Sequence, residues 1–160
     1  MDSRCKIKVR EATAEDAAGI YVLARELAET VGDSTPAEEA VRSRLGELLD
    51  EPRAQVLVAE NEVGIVGGAS FWIKPDLAHG DTVVEVPMLV VADDHRRAGV
   101  GRLLMEEVRN VASDNGASQI ELVATRANVT ARAFYRSLGF VETDVVSLEF
   151  VGSQEDPPEE

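Results

Sequence analysis

The chain has 160 residues and carries 30 Asp and Glu against 16 Lys and Arg, a formal charge of -14. That length holds one domain with a substantial core and is too short for two ordinary ones. The acidity argues against nonspecific nucleic-acid binding. No window is apolar enough for a membrane span, and MDSRCKIKVREAT lacks the apolar centre of a secretory signal. A lone Cys5 cannot close an internal disulfide, so a soluble cytoplasmic protein is expected. Residues 1–152 read as the domain; 153–160, with Glu155, Asp156, Glu159 and Glu160 around two prolines, read as an acidic disordered tail.

Lys6 to Arg10 alternates like a short strand. Thr13-x-x-Asp16 then offers an N-cap for a helix with Ile20, Leu23, Ala24, Leu27 and Val31 on one face, stopped at Gly32. Thr35-Pro36-Ala37-Glu38 reads as a capping box with proline in the first helical position. The helix after it turns Val41, Leu45, Leu48 and Leu49 inward as far as Pro52. Gln55–Glu60 and Ile65–Ile73 form a hairpin through Asn61–Gly64, with Gly67-Gly68 marking a bulge or a close approach. Trp72 and Phe71 alternate, one toward a cleft and one toward the core. Lys74–Thr82, KPDLAHGDT, reads as a loop before the strand Val83–Val91.

A glycine-punctuated turn, Arg96-Arg97-Ala98-Gly99-Val100-Gly101, follows that strand and opens a helix to Asn115. The helix buries Val100, Leu103, Leu104, Val108 and Val111 and stops at Gly116. Free backbone N–H groups and the positive end of the helix dipole converge at such a turn, so it is built to hold an anion. Arg96, Arg97 and Arg102 add cations at a helix start, which works against the dipole unless an anion offsets them. A P-loop is excluded by spacing and by the missing Gly-Lys-Ser/Thr. The dinucleotide pattern G-x-G-x-x-G finds Leu104 at its third glycine. Gln119–Thr125 is the next strand, parallel to Val83–Val91 because a helix crosses between them. A last helix, Thr130–Ser137, places Ala131, Phe134, Tyr135 and Leu138 at helical spacing and ends at Gly139. Val141–Val151 completes the sheet with one or two strands.

Two stretches resemble the signatures of the GNAT family of N-acetyltransferases. Arg96, Gly99 and Gly101 fill Arg/Gln-x-x-Gly-x-Gly/Ala, and NVTARAFYRSLGF, Asn128 to Phe140, is similar to N-x-x-A-x-x-F-Y-x-x-x-G-F. The resemblance runs from Ile7 to Phe150. It implies an α/β fold of GNAT type, a mixed and mainly antiparallel sheet of six to seven strands flanked by about four helices. It also implies transfer of an acetyl group from acetyl-CoA to a primary amine by direct attack in a ternary complex.

By that resemblance the backbone N–H groups of Arg97, Ala98, Gly99, Val100, Gly101 and Arg102, with Arg96, hold the CoA diphosphate. The pantetheine arm pairs with Leu89 and Val91, the N–H of Leu89 or Val90 polarises the thioester oxygen, and Asn128 bonds the arm. Tyr135 is the expected general acid: a phenol of pKa about 10 and a thiol of about 8.5 differ little. Glu85, fourteen residues before Gly99, is the expected base. Alternation places it on the side of Leu89 and Val91, and Glu142 and Asp144 are its substitutes. His79 and His95 read as turn residues, no metal is assigned, and Cys5 has no base beside it for an acyl-cysteine route. A small-molecule amine is favoured over a protein lysine or N-terminus, without nucleic acid or membrane, and a homodimer is compatible. The rival readings are a non-catalytic acyl-CoA sensor or assembly partner and a nicotinamide-dependent oxidoreductase.

Overall fold

The structure, a computed structural model, describes residues 6–150. Cys5, Val151 and the acidic segment 153–160 lie outside the described residues. The chain divides into two compact units, one up to Asn128 and one from Val129 on.

The first unit is built on a five-stranded sheet of β1 (Lys8–Glu11), β2 (Ala54–Glu60), β3 (Ile65–Asp76), β4 (Asp81–Val91) and β5 (Gln119–Glu121), in that spatial order. β1 to β4 are antiparallel neighbours and β4–β5 is parallel, as the intervening helix requires. The helices are α1 (Ala17–Val31), α2 (Glu38–Leu49) and α3 (Val100–Asp114). Two adjacent residues of β3 show how they are layered. A Cβ on Gly67 would lie 2.8 Å from Val100 Cγ1 and 3.2 Å from Leu104 Cδ1 of α3, whereas one on Gly68 would lie 3.3 Å from Leu23 Cδ1 of α1. Successive strand residues face opposite ways, so α3 covers one face and α1 the other. Gly67 is glycine because α3 packs directly on its backbone.

On the α1 side, Ala12, Ala17, Ile20, Leu45, Val56 and Val58 form one buried cluster, with Val41, Leu48 and Ile65 against it. Thr13 caps a short 3-10 turn, Ala14–Asp16, rather than α1 itself, which starts at Ala17: the Asp16 carboxylate accepts the Thr13 N–H at 2.8 Å across that turn. α2 departs from expectation. It starts at Glu38 with Ala37 as N-cap and no side-chain cap, so Thr35 and Pro36 precede the helix, and Leu49 is exposed. In α3 the buried stripe is Val100, Leu104, Met105, Val108 and Ala112, while Leu103 is exposed.

The expected loop 74–82 is mostly ladder. β3 and β4 pair as far as Asp76↔Asp81 and leave only residues 77–80 as the turn, because pairing once begun propagates to the tightest closure. Within the same pair Ser70 faces Met88 but Trp72 faces Glu85, so Val86 and Pro87 together oppose Phe71. This is a β-bulge, and Pro87, with no N–H to give a ladder, sits in it.

The second unit contains α4 (Val129–Ser137), followed by residues 141–150 without strand. The helix ends in a Schellman motif: Gly139, at φ 96°, donates its N–H to Arg136 O at 3.0 Å, and Phe140 donates its N–H to Tyr135 O at 3.0 Å. Arg132 Nε and Nη2 grip the Glu142 carboxylate at 2.7 and 2.9 Å. The sheet thus has five strands among the described residues, not six to seven. A strand exists only through a partner's ladder. Val141, Val145, Val146 and Leu148, which gave the segment its strand-like composition, are each at least 75% exposed.

Candidate active site

The turn before α3 has the backbone its sequence promised. Arg97 has φ 66° and Gly99 φ 84°, two left-handed residues around Ala98, and Gly99 is the N-cap of α3 with no side-chain cap. Only glycine takes that conformation freely; Arg97 takes it at a cost. Val100 and Gly101 are buried in the first helical turn, which fixes its N–H groups as a rigid set of donors. Arg96 differs from its neighbours, because its guanidinium is spent on Asp93 at 2.8 Å. Arg97 and Arg102 are exposed and have no carboxylate partner among the described residues, so they supply the positive charge here.

Two contacts hold the approach to this turn. The Asp93 N–H donates to Glu26 Oε2 of α1 at 3.3 Å. Asn61 Nδ2 meets His95 Nε2 at 3.2 Å. Asn61 Oδ1 already accepts the N–H groups of Val63 and Gly64, so it is the amide nitrogen that faces the His95 ring. His95 is therefore a tether between the β2–β3 hairpin and the turn, a role that its sequence position did not signal. His79 lies at the β3–β4 turn with Nδ1 2.6 Å from Asp76, whose hydrogen bond raises its pKa.

β4 has an open side. Its pairing with β5 ends at Glu85↔Glu121, so among the described residues Val86 to Val91 have no strand beyond them on that side. The direction of each N–H follows from one bond: Ala92 N–H donates to Val66 O at 2.8 Å. Alternation then turns the N–H of Val90, opposite Gly68, toward β3, and those of Leu89 and Val91 toward the open side. Of the two oxyanion donors suggested by sequence, only Leu89 faces the gap.

Glu85 is on the other face from the one expected. Across the bulge, Glu85 and Met88 oppose Trp72 and Ser70, which are two apart on β3 and share a face. The bulge at Val86-Pro87 cancels the alternation that would have set Glu85 with Leu89 and Val91. Lys74, two further along that face, closes on Glu85 Oε2 at 2.6 Å. Trp72 shares this face and is half-buried, while Phe71 points oppositely into the core at 0% exposure. Beside Ser70 and Met88, between α1, α2 and the sheet, is a cleft of about 220 Å³.

Asn128 closes the first unit with its N–H on Thr125 O at 3.0 Å. Tyr135 is in the second unit, on α4, its ring edge-on to Phe140 at 5.9 Å and tilted to Phe134 at 5.5 Å. The Gly139-Phe140 stop and the ring contact it brings about fix the position of Tyr135 on its helix. Burial pushes its phenol above the ordinary tyrosine range, so at neutral pH it is a proton donor. Glu142 is engaged by Arg132, and Asp144 is exposed. Among the described residues no group of three or more His, Cys, Asp and Glu is arranged to hold a metal ion, and no helix is long and apolar enough to cross a membrane.

The start of α3 thus gathers backbone N–H donors beside Arg97 and Arg102, and β4 carries an edge that is unpaired among the described residues. Residues 52–142 match the family model described as an acetyltransferase (GNAT) domain, and the chain belongs to that family. It is 33% identical over 98 residues to an uncharacterized N-acetyltransferase of Mycobacterium tuberculosis, a match covering 61% of this chain and 60% of that protein. It is 31% identical over 86 residues to human N-acetyltransferase 8, covering 54% of this chain and 38% of that one. The matched region therefore spans between two-fifths and three-fifths of these relatives. A possible acetyltransferase from Clostridium difficile 630 shares the fold with a TM-score of 0.80 at 20% identity, over 93% of this chain and 99% of that one.

Proposed function

We propose that the protein transfers the acetyl group of acetyl-CoA to a primary amine by direct attack in a ternary complex. The observation that carries this reading is the cradle: left-handed Arg97 and Gly99 at the uncapped start of α3, beside a β4 edge whose Leu89 and Val91 have no strand partner on that side among the described residues. Its donor set suits a diphosphate, and its free edge suits an amide-bearing arm that pairs as a strand does.

When bound, acetyl-CoA supplies an activated acyl group; the protein's residues supply the rest. The N–H groups of the first turn of α3, with Arg97 and Arg102, hold the diphosphate. Leu89 presents an N–H where negative charge gathers on the thioester oxygen. Glu85 takes the proton that an ammonium of pKa about 10.4 must lose before it can attack. Lys74 holds one of its oxygens with the same kind of cation, so an incoming ammonium can exchange for it. Tyr135, kept protonated by burial, gives its hydrogen to the departing thiolate, and the second proton that the nitrogen sheds in becoming an amide passes to water, from which the phenolate is reprotonated.

Free-thiol release from acetyl-CoA against a panel of amines tests the reading. Tyr135→Phe is expected to lower kcat by about 100-fold with acetyl-CoA affinity unchanged; an unchanged kcat removes Tyr135 as the acid. Gly101→Asp is expected to abolish CoA binding, because it puts bulk and negative charge into the cradle. Stabilisation by CoA with no thiol release from any amine would favour an acyl-CoA sensor, and stabilisation by NAD instead would favour an oxidoreductase.

A further inference from the structure

The cleft between the α1–α2 layer and the sheet has the size and lining to select its occupant. Ile20 and Ala24 of α1, Val41, Leu45 and Leu48 of α2 and Met88 of β4 make its walls. Among the described residues Ser70 is the one neutral polar side chain in the lining and Arg44 the one charged, and no carboxylate lines it. An ammonium that leaves water needs a carboxylate or several acceptors in exchange. A polyamine or an aminoglycoside, which brings several ammonium groups, would find none among these lining residues, whose one cation, Arg44, already holds the Glu47 carboxylate at the exposed rim.

Size points the same way. An apolar cavity of about 150 Å³ accommodates a benzene molecule, so about 220 Å³ holds one ring and a short arm. A three-ring sugar would leave most of its body outside it.

The sheet gives the direction of that arm. Ser70 and Met88 form the row at the cleft, and Trp72 and Glu85 form the next row on the same face. Two residues along a strand separate these rows by about 7 Å, which a two- or three-atom arm and one hydrogen bond can span. Because Pro87 bulges β4, the carboxylate stands on the cleft side of the sheet rather than behind it.

We propose that this cleft is the acceptor's seat and that the acceptor is a small primary monoamine on an apolar ring-sized body, an arylalkylamine, with its ring against Val41, Leu45 and Met88 and its nitrogen toward Glu85. The proposal rests on the acetyl-transfer reading for its chemistry, while the cleft's selectivity can be read separately by binding.

The experiment compares 2-phenylethylamine, spermidine and kanamycin as acceptors by free-thiol release. It adds calorimetric titration of 2-phenylethylamine into the full chain with CoA present. Ala40, an exposed α2 residue that also lines the cleft, gives a variant that fills it at little risk to folding. The expected result is a kcat/KM for 2-phenylethylamine at least tenfold above that for spermidine or kanamycin. Ala40→Phe should lower it at least tenfold with acetyl-CoA affinity unchanged, and Arg44→Glu should raise the spermidine value severalfold. Preference for spermidine or kanamycin, or indifference of 2-phenylethylamine to Ala40→Phe, overturns the proposal and leaves acetyl transfer standing. If CoA binds but no amine releases thiol, acetyl transfer falls instead. The titration then decides for the cleft: binding that Ala40→Phe removes upholds it as an arylalkylamine seat, and no binding overturns it.

Discussion

Among the described residues Arg97 is the one non-glycine residue with positive φ. For an L-residue that conformation costs about 1 kcal/mol, and glycine would occupy it without cost at the expense of a more mobile unfolded chain. Strain at one residue of a turn that also lacks a side-chain cap makes sense if the side chain, a cation without a carboxylate partner, is wanted where it points. The consequence is a trade with opposite signs. Arg97→Gly is expected to leave chemical-denaturation stability unchanged or raise it by up to about 1 kcal/mol. The same change should weaken acetyl-CoA several-fold and flatten the salt dependence of binding, because one screened charge is gone. A variant that is both less stable and unaltered in acetyl-CoA affinity would show that Arg97 serves the fold and not the ligand. At Tyr135 the corresponding argument concerns pH. Its raised phenol pKa keeps the donor protonated through the ordinary tyrosine range, so any fall in kcat due to its ionisation should lie on the alkaline side of pH 10 and vanish in Tyr135→Phe.

At the scale of elements, the position of α3 depends on one missing side chain. Gly67→Ala would set a Cβ 2.8 Å from Val100 Cγ1 and 3.2 Å from the Val90 carbonyl oxygen, and is expected to cost about 2 kcal/mol in equilibrium unfolding. Removing the opposing methyls in Gly67→Ala/Val100→Ala should recover part of that cost relative to the sum of the single changes, and full additivity would mean that the two do not meet. What could be read from sequence follows the same division between local and paired structure. The left-handed turn at Gly99, the stop at Gly139-Phe140 and the parallel β4–β5 pair have causes within a few residues or one crossover, and each was legible. The face of Glu85 was not, because it depends on how β4 registers against β3 across Pro87. A proline inside a strand was the available signal. Strand length was illegible for a related reason: the β3–β4 ladder runs through Lys74 and Pro75, while β5 stops at Glu121 although Val123 looked equally suited to a strand. The segment 141–150 has the composition of a strand and no ladder. The cleft arises from packing of α1 and α2 on the sheet, which no single stretch of sequence contains.

For the whole chain, acid relieves the repulsion of a charge of -14 but costs any carboxylate that is paired in the fold, and one network shows how the second effect should act. Arg10 of β1 binds Asp16 in a two-pronged pair at 2.8 and 2.9 Å and Glu60 of β2 in another at 3.0 and 3.0 Å, tying two strands to the start of α1. Its hydrogen bonds hold the buried Asp16 carboxyl below the usual range, with the Thr13 N–H adding to the effect, and hold Glu60 low as well. A depressed carboxyl pKa means that the unfolded chain takes up the proton first. The stabilisation is therefore complete above the ordinary carboxylate value of about 3.9 and is lost as pH falls through the lower folded value. Asp16→Asn keeps the shape and removes the charge, leaving Arg10 with Glu60 alone. It is expected to cost about 2 kcal/mol at pH 7 and to make stability less steep in pH below 4 than in the parent, since one proton fewer is taken up on unfolding. Urea titrations of both proteins at pH 7, 5, 4 and 3 measure this. The two stability curves should converge as the acid removes from the parent what the substitution removed from the variant, whereas a constant gap from pH 7 to pH 3 would assign the loss to packing and not to the ion pair.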